Sequence, residues 1–585
     1  MSEKPGQDTL RDFTADARLL VLSAMALVTG TFGAAAAWVL LKLIALISHL
    51  AYFHSVSTAP YSLAHLKLGA LSIFIPIAGG LIVGLMARYG SSKIRGHGIP
   101  EALEAILIGQ SRIEPRVALL KPLSSAIAIG TGGPFGAEGP IIMTGGALGS
   151  LFAQFFHLSP AERKTLLVAG AAAGMTAIFG TPVAAILLAI EVLLFEWKPR
   201  SFVPVVISVV VARAWRPWLV GAWPLFAHSG APHLPWWGFA VCMAVGVIAG
   251  VLSALMSAAV YALEDLFHRL PLHWMWWPAI GGLVVGLGGW YDPAVLGVGY
   301  DNIQALIDGA VGLHAAAALL FAKAAVWVAA LSSGTSGGVL APLLIIGGSL
   351  GAVMAHWLPF GGAGFWALLV MTATLGGTLR APLTAIVFAV EITGDLHVMP
   401  AVTATCAASF ATTVLLMRRS ILTERLARRG QHLCYEYSVD PFELLRVSDI
   451  MTRPADTLPA DMTILDAIEF FNPRPGAHRH KSYPVADSRG QITGMVSRAD
   501  LLRWSREGWP EGKTLGDRPD AREPVVGYAD EPVSRLADRM VAHNIARAPV
   551  IDRASGRIVG LVARRDLLRV RVHASRQEHE RARAL

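Results

Sequence analysis

Thr131-Gly132-Gly133-Pro134-Phe135-Gly136-Ala137-Glu138-Gly139-Pro140 runs directly into the apolar stretch Ile141-Ile142-Met143. The reading of this stretch decides the fold. Pro140 suits the first position of a helix, where its missing N–H costs nothing. The flanking glycines let main-chain amides come close to a ligand. Unpaired N–H groups at the positive end of a helix dipole form an anion site. Glu138 therefore stands at the mouth of a membrane-embedded helix. There its carboxylate can take the place of a dissolved anion and leave when protonated. The plainer reading is a glutamate that only caps its own helix.

The rest of the chain supplies the context. Of 585 residues, 54% are hydrophobic and only 15% are charged, and the mean hydropathy is +0.52. Such a composition predicts a polytopic membrane protein with a more polar part attached. Residues 1–18 are polar and mixed in charge, so they are expected to be a cytoplasmic segment and not a signal peptide. The net charge of +8 gathers in the last third and between apolar segments, as in loops retained in the cytoplasm. No basic groove with interleaved aromatics suggests nucleic acid. Cys242, Cys406 and Cys434 are far apart, in no metal-ligand spacing. No catalytic constellation or metal set is present in the sequence, so an enzyme is not expected.

Apolar segments follow one another from Leu19 to about Met417. Leu19 to Leu50 and Leu68 to Leu85 are long enough to span a bilayer. Gly139 to Phe155, Leu166 to Phe179, Val183 to Phe195, Ala341 to Trp357 and Leu383 to Ile392 are short or broken by glycine and proline. Helices that stop partway through hydrocarbon are tolerated only inside protein or beside a polar cavity. In pairs they indicate a transport site near the midplane. The pairs are visible as a repeat. Glu138 to Gly149 recurs as Leu340 to Gly351, with Pro140 and Pro342 202 residues apart. Gly180 to Glu191 recurs as Arg380 to Glu391, with the glutamates 200 residues apart. Chance likeness between glycine-rich membrane helices explains two ordered matches at one offset less well than duplication does.

Three loops then carry a resemblance. Gly96-His97-Gly98-Ile99-Pro100, Gly136-Ala137-Glu138-Gly139-Pro140 and Gly338-Val339-Leu340-Ala341-Pro342 occur in that order. Residues 17–430 resemble the CLC family of chloride channels and proton-coupled chloride transporters. The resemblance implies an all-α membrane domain (19–430) of two inverted repeats, and a homodimer with one pore per subunit. It implies anion binding at the three loops, with Glu138 as the gate, and chloride or a similar anion and protons as the species handled. A bacterial inner membrane is the expected location.

The departures bear on mechanism. His97 stands where the family usually offers a serine hydroxyl, Leu422 where it offers a tyrosine, and Leu340 replaces a phenylalanine. Main-chain amides still bind an anion without those hydroxyls. His97 either donates an N–H and becomes cationic below roughly pH 6.5, or is neutral and fills space. Val192 follows Ile190-Glu191 at the place of the exchangers' inner proton-transfer glutamate. A buried ionisable group in a membrane helix is costly and tends to be functional, so its absence leans toward a passive, proton-gated channel. The alternative is a proton-coupled chloride antiporter with another proton route. Glu191, matched by Glu391, is read as satisfying helix ends.

The remaining sequence holds a second repeat. Ser482-Tyr483-Pro484-Val485 and Gly494 to Leu502 are echoed by Ala548-Pro549-Val550 and Gly560 to Leu568. Alternating strand and helix patterns predict modules at 447–510 and 511–572, after a linker at 431–446 and before a charged tail at 573–585. They resemble a tandem CBS pair, which implies a cytoplasmic C-terminus. No cofactor is required, but the resemblance implies an adenine nucleotide as a possible ligand, with Ser497, Asp500 and Asp566 at the site. Asp500 is equally suited to a helix N-cap.

Overall fold

The computed structural model describes residues 17–64, 66–221, 223–228, 232, 234–428, 442, 445–471, 480–507, 512–517 and 524–570. The predicted N-terminal segment, linker and tail lie almost entirely outside these residues. Contacts within the chain divide it into two units, Met1–Tyr435 and Glu436–Leu585.

The first unit is helical and built twice. Its first half comprises α1 (Arg18–Ser48), α2 (Phe74–Tyr89), α3 (Ile99–Leu107), α4 (Pro115–Gly130), α5 (Glu138–Gln154), α6 (Pro160–Phe179), α7 (Pro182–Leu188) and α8 (Pro199–Leu219). The second half repeats the series as α9 (Gly238–His268), α10 (Trp277–Tyr291), α11 (Tyr300–Ile307), α12 (Leu313–Ser332), α13 (Leu340–Met354), α14 (Ala363–Leu379), α15 (Pro382–Thr393) and α16 (Met399–Leu416). A short α17 (Ile421–Arg428) follows. Each helix thus has a counterpart about 200 residues on, where the sequence displayed only the pairs α5/α13 and α7/α15. Two inverted repeats account for this order and for the reciprocal contacts between the halves described below.

Length and burial sort these helices into an outer and an inner set. Among the described residues, six segments are long and apolar enough to cross a membrane: Arg18–Phe53, Ala70–Tyr89, Pro199–Leu219, Gly238–His268, Leu313–Ser332 and Met399–Arg428. Most of them expose apolar side chains, among them Leu27 on α1, Val210 on α8 and Val251 on α9, which suits contact with lipid. The inner helices α6 and α14 are enclosed, with every residue of 165–179 and of 364–379 buried. Small residues permit this. A Cβ on Gly145 of α5 would stand 2.3 Å from the Gly170 carbonyl of α6, and one on Gly351 of α13 2.3 Å from the Trp366 carbonyl of α14. The backbones touch as in close-packed membrane helices.

Among its described residues the second unit holds two three-stranded sheets of identical plan. β1 (Leu458–Pro459) pairs parallel with β2 (Ser482–Ala486), which pairs antiparallel with β3 (Ile492–Ser497). β4 (Gly527–Tyr528), β5 (Arg547–Ile551) and β6 (Ile558–Ala563) repeat the order. The two cores do not follow the linear division of the sequence. Leu515 packs into the core of the first sheet with Leu458, Val485 and Trp504. Val447 and Met451 pack into the core of the second with Val533, Leu536 and Val550. Each module therefore receives its opening turn from the other's stretch of chain.

Candidate functional site

Three loops meet where the halves of the first unit face each other. The Gly136 amide donates to the Gly338 carbonyl at 3.2 Å, and the Gly338 amide returns the bond to Gly136 at 2.8 Å. The third loop joins through Gly96, whose amide donates to Thr335 at 3.3 Å and whose carbonyl accepts from Gly337 at 3.4 Å. Gly96, Gly136 and Gly338, far apart in sequence, thus form one cluster, and α3, α5 and α13 all begin there. A reciprocal pair such as Gly136/Gly338 is what a two-fold axis between the halves generates.

Glu138 opens α5 within this cluster and is fully buried. Neither carboxylate oxygen has a hydrogen-bond partner. The main-chain N–H groups of Glu138 and Ala341, the latter in the first turn of α13, point toward the carboxylate without closing a bond of ordinary geometry. A buried, unpartnered carboxylate is costly, so the group is poised to protonate, to move, or to be replaced by an ion that the amides satisfy better. The seat is made by glycine: a Cβ on Gly136 would stand 1.6 Å from Oε2 of Glu138, and one on Gly338 2.8 Å from it. Ala137, Gly139, Pro140, Val339, Leu340, Ala341 and Pro342 are all buried around it.

On the α3 side, the His97 carbonyl lies against Gly139, where a Cβ would approach it to 1.8 Å. Gly98 has φ +93°, a conformation that suits glycine, and its amide donates to Oε2 of Glu101 at 2.9 Å. This N–H, expected to be open to an anion, is therefore engaged within its own helix turn. Ile99 and Pro100 are buried behind it. The His97 ring is buried and its Nδ1 has no partner. Leu422 lies in α17, wholly buried. A tyrosine hydroxyl is nevertheless close by: Tyr261 of α9 donates to the Ile421 carbonyl at 2.6 Å.

Val192 is buried in the π-helical turn Ala189–Leu194 that extends α7. The Glu191 carboxylate accepts from the amides of Leu383 and Thr384 at 3.2 and 2.8 Å, and from the Thr384 hydroxyl. Glu391 returns the contact, accepting from Val183 and Ala184 at 3.0 and 2.8 Å. Each glutamate caps the other half's helix, α15 or α7.

Other side chains at the site were not singled out from sequence. Lys121 of α4 donates to the carbonyls of Ile94 and Gly96 at 2.9 and 2.7 Å. Lys323 of α12 does the same to Val295 and Gly297 at 2.8 and 3.1 Å. The available signal was a lysine inside each of two apolar segments, 202 residues apart. Tyr300, the first residue of α11, has a buried hydroxyl with no partner and lies within electrostatic range of Glu138. It also lines a cavity of about 440 Å³ with Lys42, Tyr61 and Asp301.

In the second unit, Ser497 and Asp500 form a capping box for the helix Arg498–Arg506. Oδ2 of Asp500 accepts from the Ser497 amide at 2.9 Å, and the Asp500 amide donates to the Ser497 hydroxyl at 3.3 Å. Oδ2 of Asp566 accepts from the Ala563 amide at 2.9 Å. The N-cap use of Asp500 is thus present. Its Oδ1 accepts from Arg503 at 3.4 Å, and the side chain is 35% exposed, whereas that of Asp566 is 7% exposed.

Comparison with known proteins places these features. The family model described as voltage gated chloride channel matches residues 79–414, and the CBS domain model matches 447–507 and 521–573. A protein of Shigella flexneri named voltage-gated ClC-type chloride channel ClcB is 30% identical over 380 residues, covering 61% of this chain and 87% of that protein. A putative chloride channel protein, ClcB-like, of Ralstonia nicotianae is 28% identical over 366 residues, 61% of this chain and 85% of its own. Among solved structures, a slow cyanobacterial Cl−/H+ antiporter aligns with TM-score 0.61 and 21% identity, over 71% of this chain and 99% of that one. A CLC-type fluoride/proton antiporter gives 0.61 and 21%, over 70% and 98%. At such identities the structures speak to the fold alone.

Proposed function

The chain belongs to the voltage-gated chloride channel family and carries a CBS pair, and from that premise we propose that it is a chloride channel, conducting passively and opened by protonation of Glu138. The observation that carries this reading is the Glu138 carboxylate, buried without a partner at the meeting point of α5 and α13. While charged, it takes the place of an anion at two helix N-termini. Protonated, it loses its attraction for those amides, leaves, and lets chloride in. Flux therefore rises as pH falls. The absence of an ionisable group at Val192, with Glu191 engaged as a cap, supports conduction without an obligatory inner proton station.

Liposome flux under a chloride gradient, with the voltage clamped by potassium and valinomycin, tests this. Chloride efflux without proton movement, rising at low pH and insensitive to pH in Glu138→Gln, is the expected result. Uphill proton movement driven by chloride overturns it in favour of antiport. That second reading draws on the unpartnered Nδ1 of His97, a group able to carry a proton where Val192 cannot. The proposal extends to a homodimer in a bacterial inner membrane, both termini cytoplasmic, with no chemical reaction catalysed. The CBS pair would serve as a regulatory unit with an adenine nucleotide as its candidate ligand, held at Asp500. A nucleotide shifts gating only by its differential affinity for the open and closed states.

A further inference from the structure

A cavity of about 20 Å³, room for one water, lies beside His97. Gly96, Tyr261, Glu264, Ile421 and Arg425 wall it. Arg425 comes from α17, the helix through which the chain leaves the membrane unit. Its guanidinium lies directly on the turn that carries His97: a Cβ on Gly96 would stand 1.7 Å from Nη1. Nη1 donates to Oε1 of Glu101 at 2.9 Å, while Oε2 of the same carboxylate holds the Gly98 amide. The Arg425 side chain is 17% exposed and that of Glu101 4%. Lys121, with no exposed surface, closes the cluster from behind through the Gly96 carbonyl.

The charges do not balance. Two cationic side chains, Arg425 and Lys121, share one fully enclosed carboxylate, Glu101. Glu264 and Glu104 are in electrostatic reach of Arg425 as well, but both are half-buried, and Glu101 is the counter-charge enclosed with it. His97 adds no negative charge in any state, and Tyr261 is committed to Ile421. An excess of enclosed positive charge is stabilised by an anion. It sits at a point where this chain has His97 and Leu422 and offers an ion no side-chain hydroxyl from either.

We propose that Arg425 is a specificity-determining residue of the anion pathway: its guanidinium, fixed by Glu101 over Gly96, supplies the attraction for chloride beside His97. This rests on the anion-transport reading but not on the choice between channel and antiporter. The test is calorimetric titration of chloride into purified full-length protein exchanged into gluconate. Arg425→Met removes one of the two cations and leaves Glu101 matched by Lys121. It should raise the chloride dissociation constant at least tenfold, the least expected for losing a unit charge within about 10 Å at an effective dielectric near 20. Arg425→Lys should restore most of the affinity and Arg425→Gln should not, a pattern of charge and not of packing. If Arg425→Met is not recovered, the Lys and Gln variants decide alone. Wild-type affinity in Arg425→Met or in Arg425→Gln overturns the proposal. Absence of chloride binding in the wild type overturns the anion-transport reading itself, and this proposal with it.

Discussion

At Gly136 the missing side chain is what leaves room for the Glu138 carboxylate. The three atoms nearest a Cβ there all belong to the end of the Glu138 side chain, so Gly136→Ala should fold and displace the carboxylate while keeping its charge. On the proposed gating, chloride efflux from liposomes at neutral pH should then approach the level expected of wild type in acid. Gly139→Ala is the contrasting case, because its Cβ meets the rigid His97 carbonyl at 1.8 Å. That variant should lose the loop junction and be recovered poorly from detergent, as size-exclusion chromatography will show. Two neighbouring glycines thus have opposite predicted outcomes, distinguished by what each one faces. His97 and Leu422 were recognisable from sequence as departures from a pattern, but Arg425 was not recognisable as their neighbour. Its partner Glu101 is 324 residues away, and a contact of that kind leaves no periodicity or spacing to read.

The reciprocal caps set the terms for the helices. Glu191 and Glu391 each hold two amides of the opposite half, and such charge-assisted bonds are worth about 1.5–3 kcal/mol each. Glu391→Ala should therefore destabilise the unit by about 2 kcal/mol or more, seen as a lower thermal midpoint in detergent with ion preference intact. Glu391→Gln, which still accepts, should lose less. The capping role was legible in the sequence because two glutamates recur in one position of the repeat. The duplication of the other helices was not. α1 and α9 are both 31 residues long, yet their lipid-facing surfaces accept nearly any apolar side chain, so length is kept while residue identity drifts. Glycine and proline at α5/α13 and α7/α15 persist because backbones touch and helices start there, and those were the segments that could be matched.

In the molecule as a whole, the second unit shows cores that draw residues from across the module boundary. Leu515 falls in the stretch assigned to the second module, yet it completes the core of the first. Leu515→Ala should cost about 2–4 kcal/mol and raise hydrogen exchange in β1–β3 of the full-length protein, leaving β4–β6 protected. The turn that delivers Leu515 also responds to pH. The Thr514 amide and hydroxyl bind Asp517 and hold its carboxyl below the usual range. That support is present above roughly pH 4, the unfolded value, and fades as pH falls through the lower folded one. Protection at 513–517, corrected for the intrinsic pH dependence of exchange, should therefore fall in acid, and Asp517→Asn should abolish that response. The first unit leads to a different consequence. Its frame is written twice, with Lys121 echoed by Lys323 and Gly136 by Gly338, but Glu138 is echoed by Leu340 and Gly98 by Gly299 without a histidine beside it. A complete substitution scan should accordingly yield two maps of unlike symmetry. Tolerance for folding in residues 74–219 should predict tolerance in 277–416 after a shift of about 200. Tolerance for ion flux should not transfer, because natural selection has acted on the copies together for architecture and on each separately for transport.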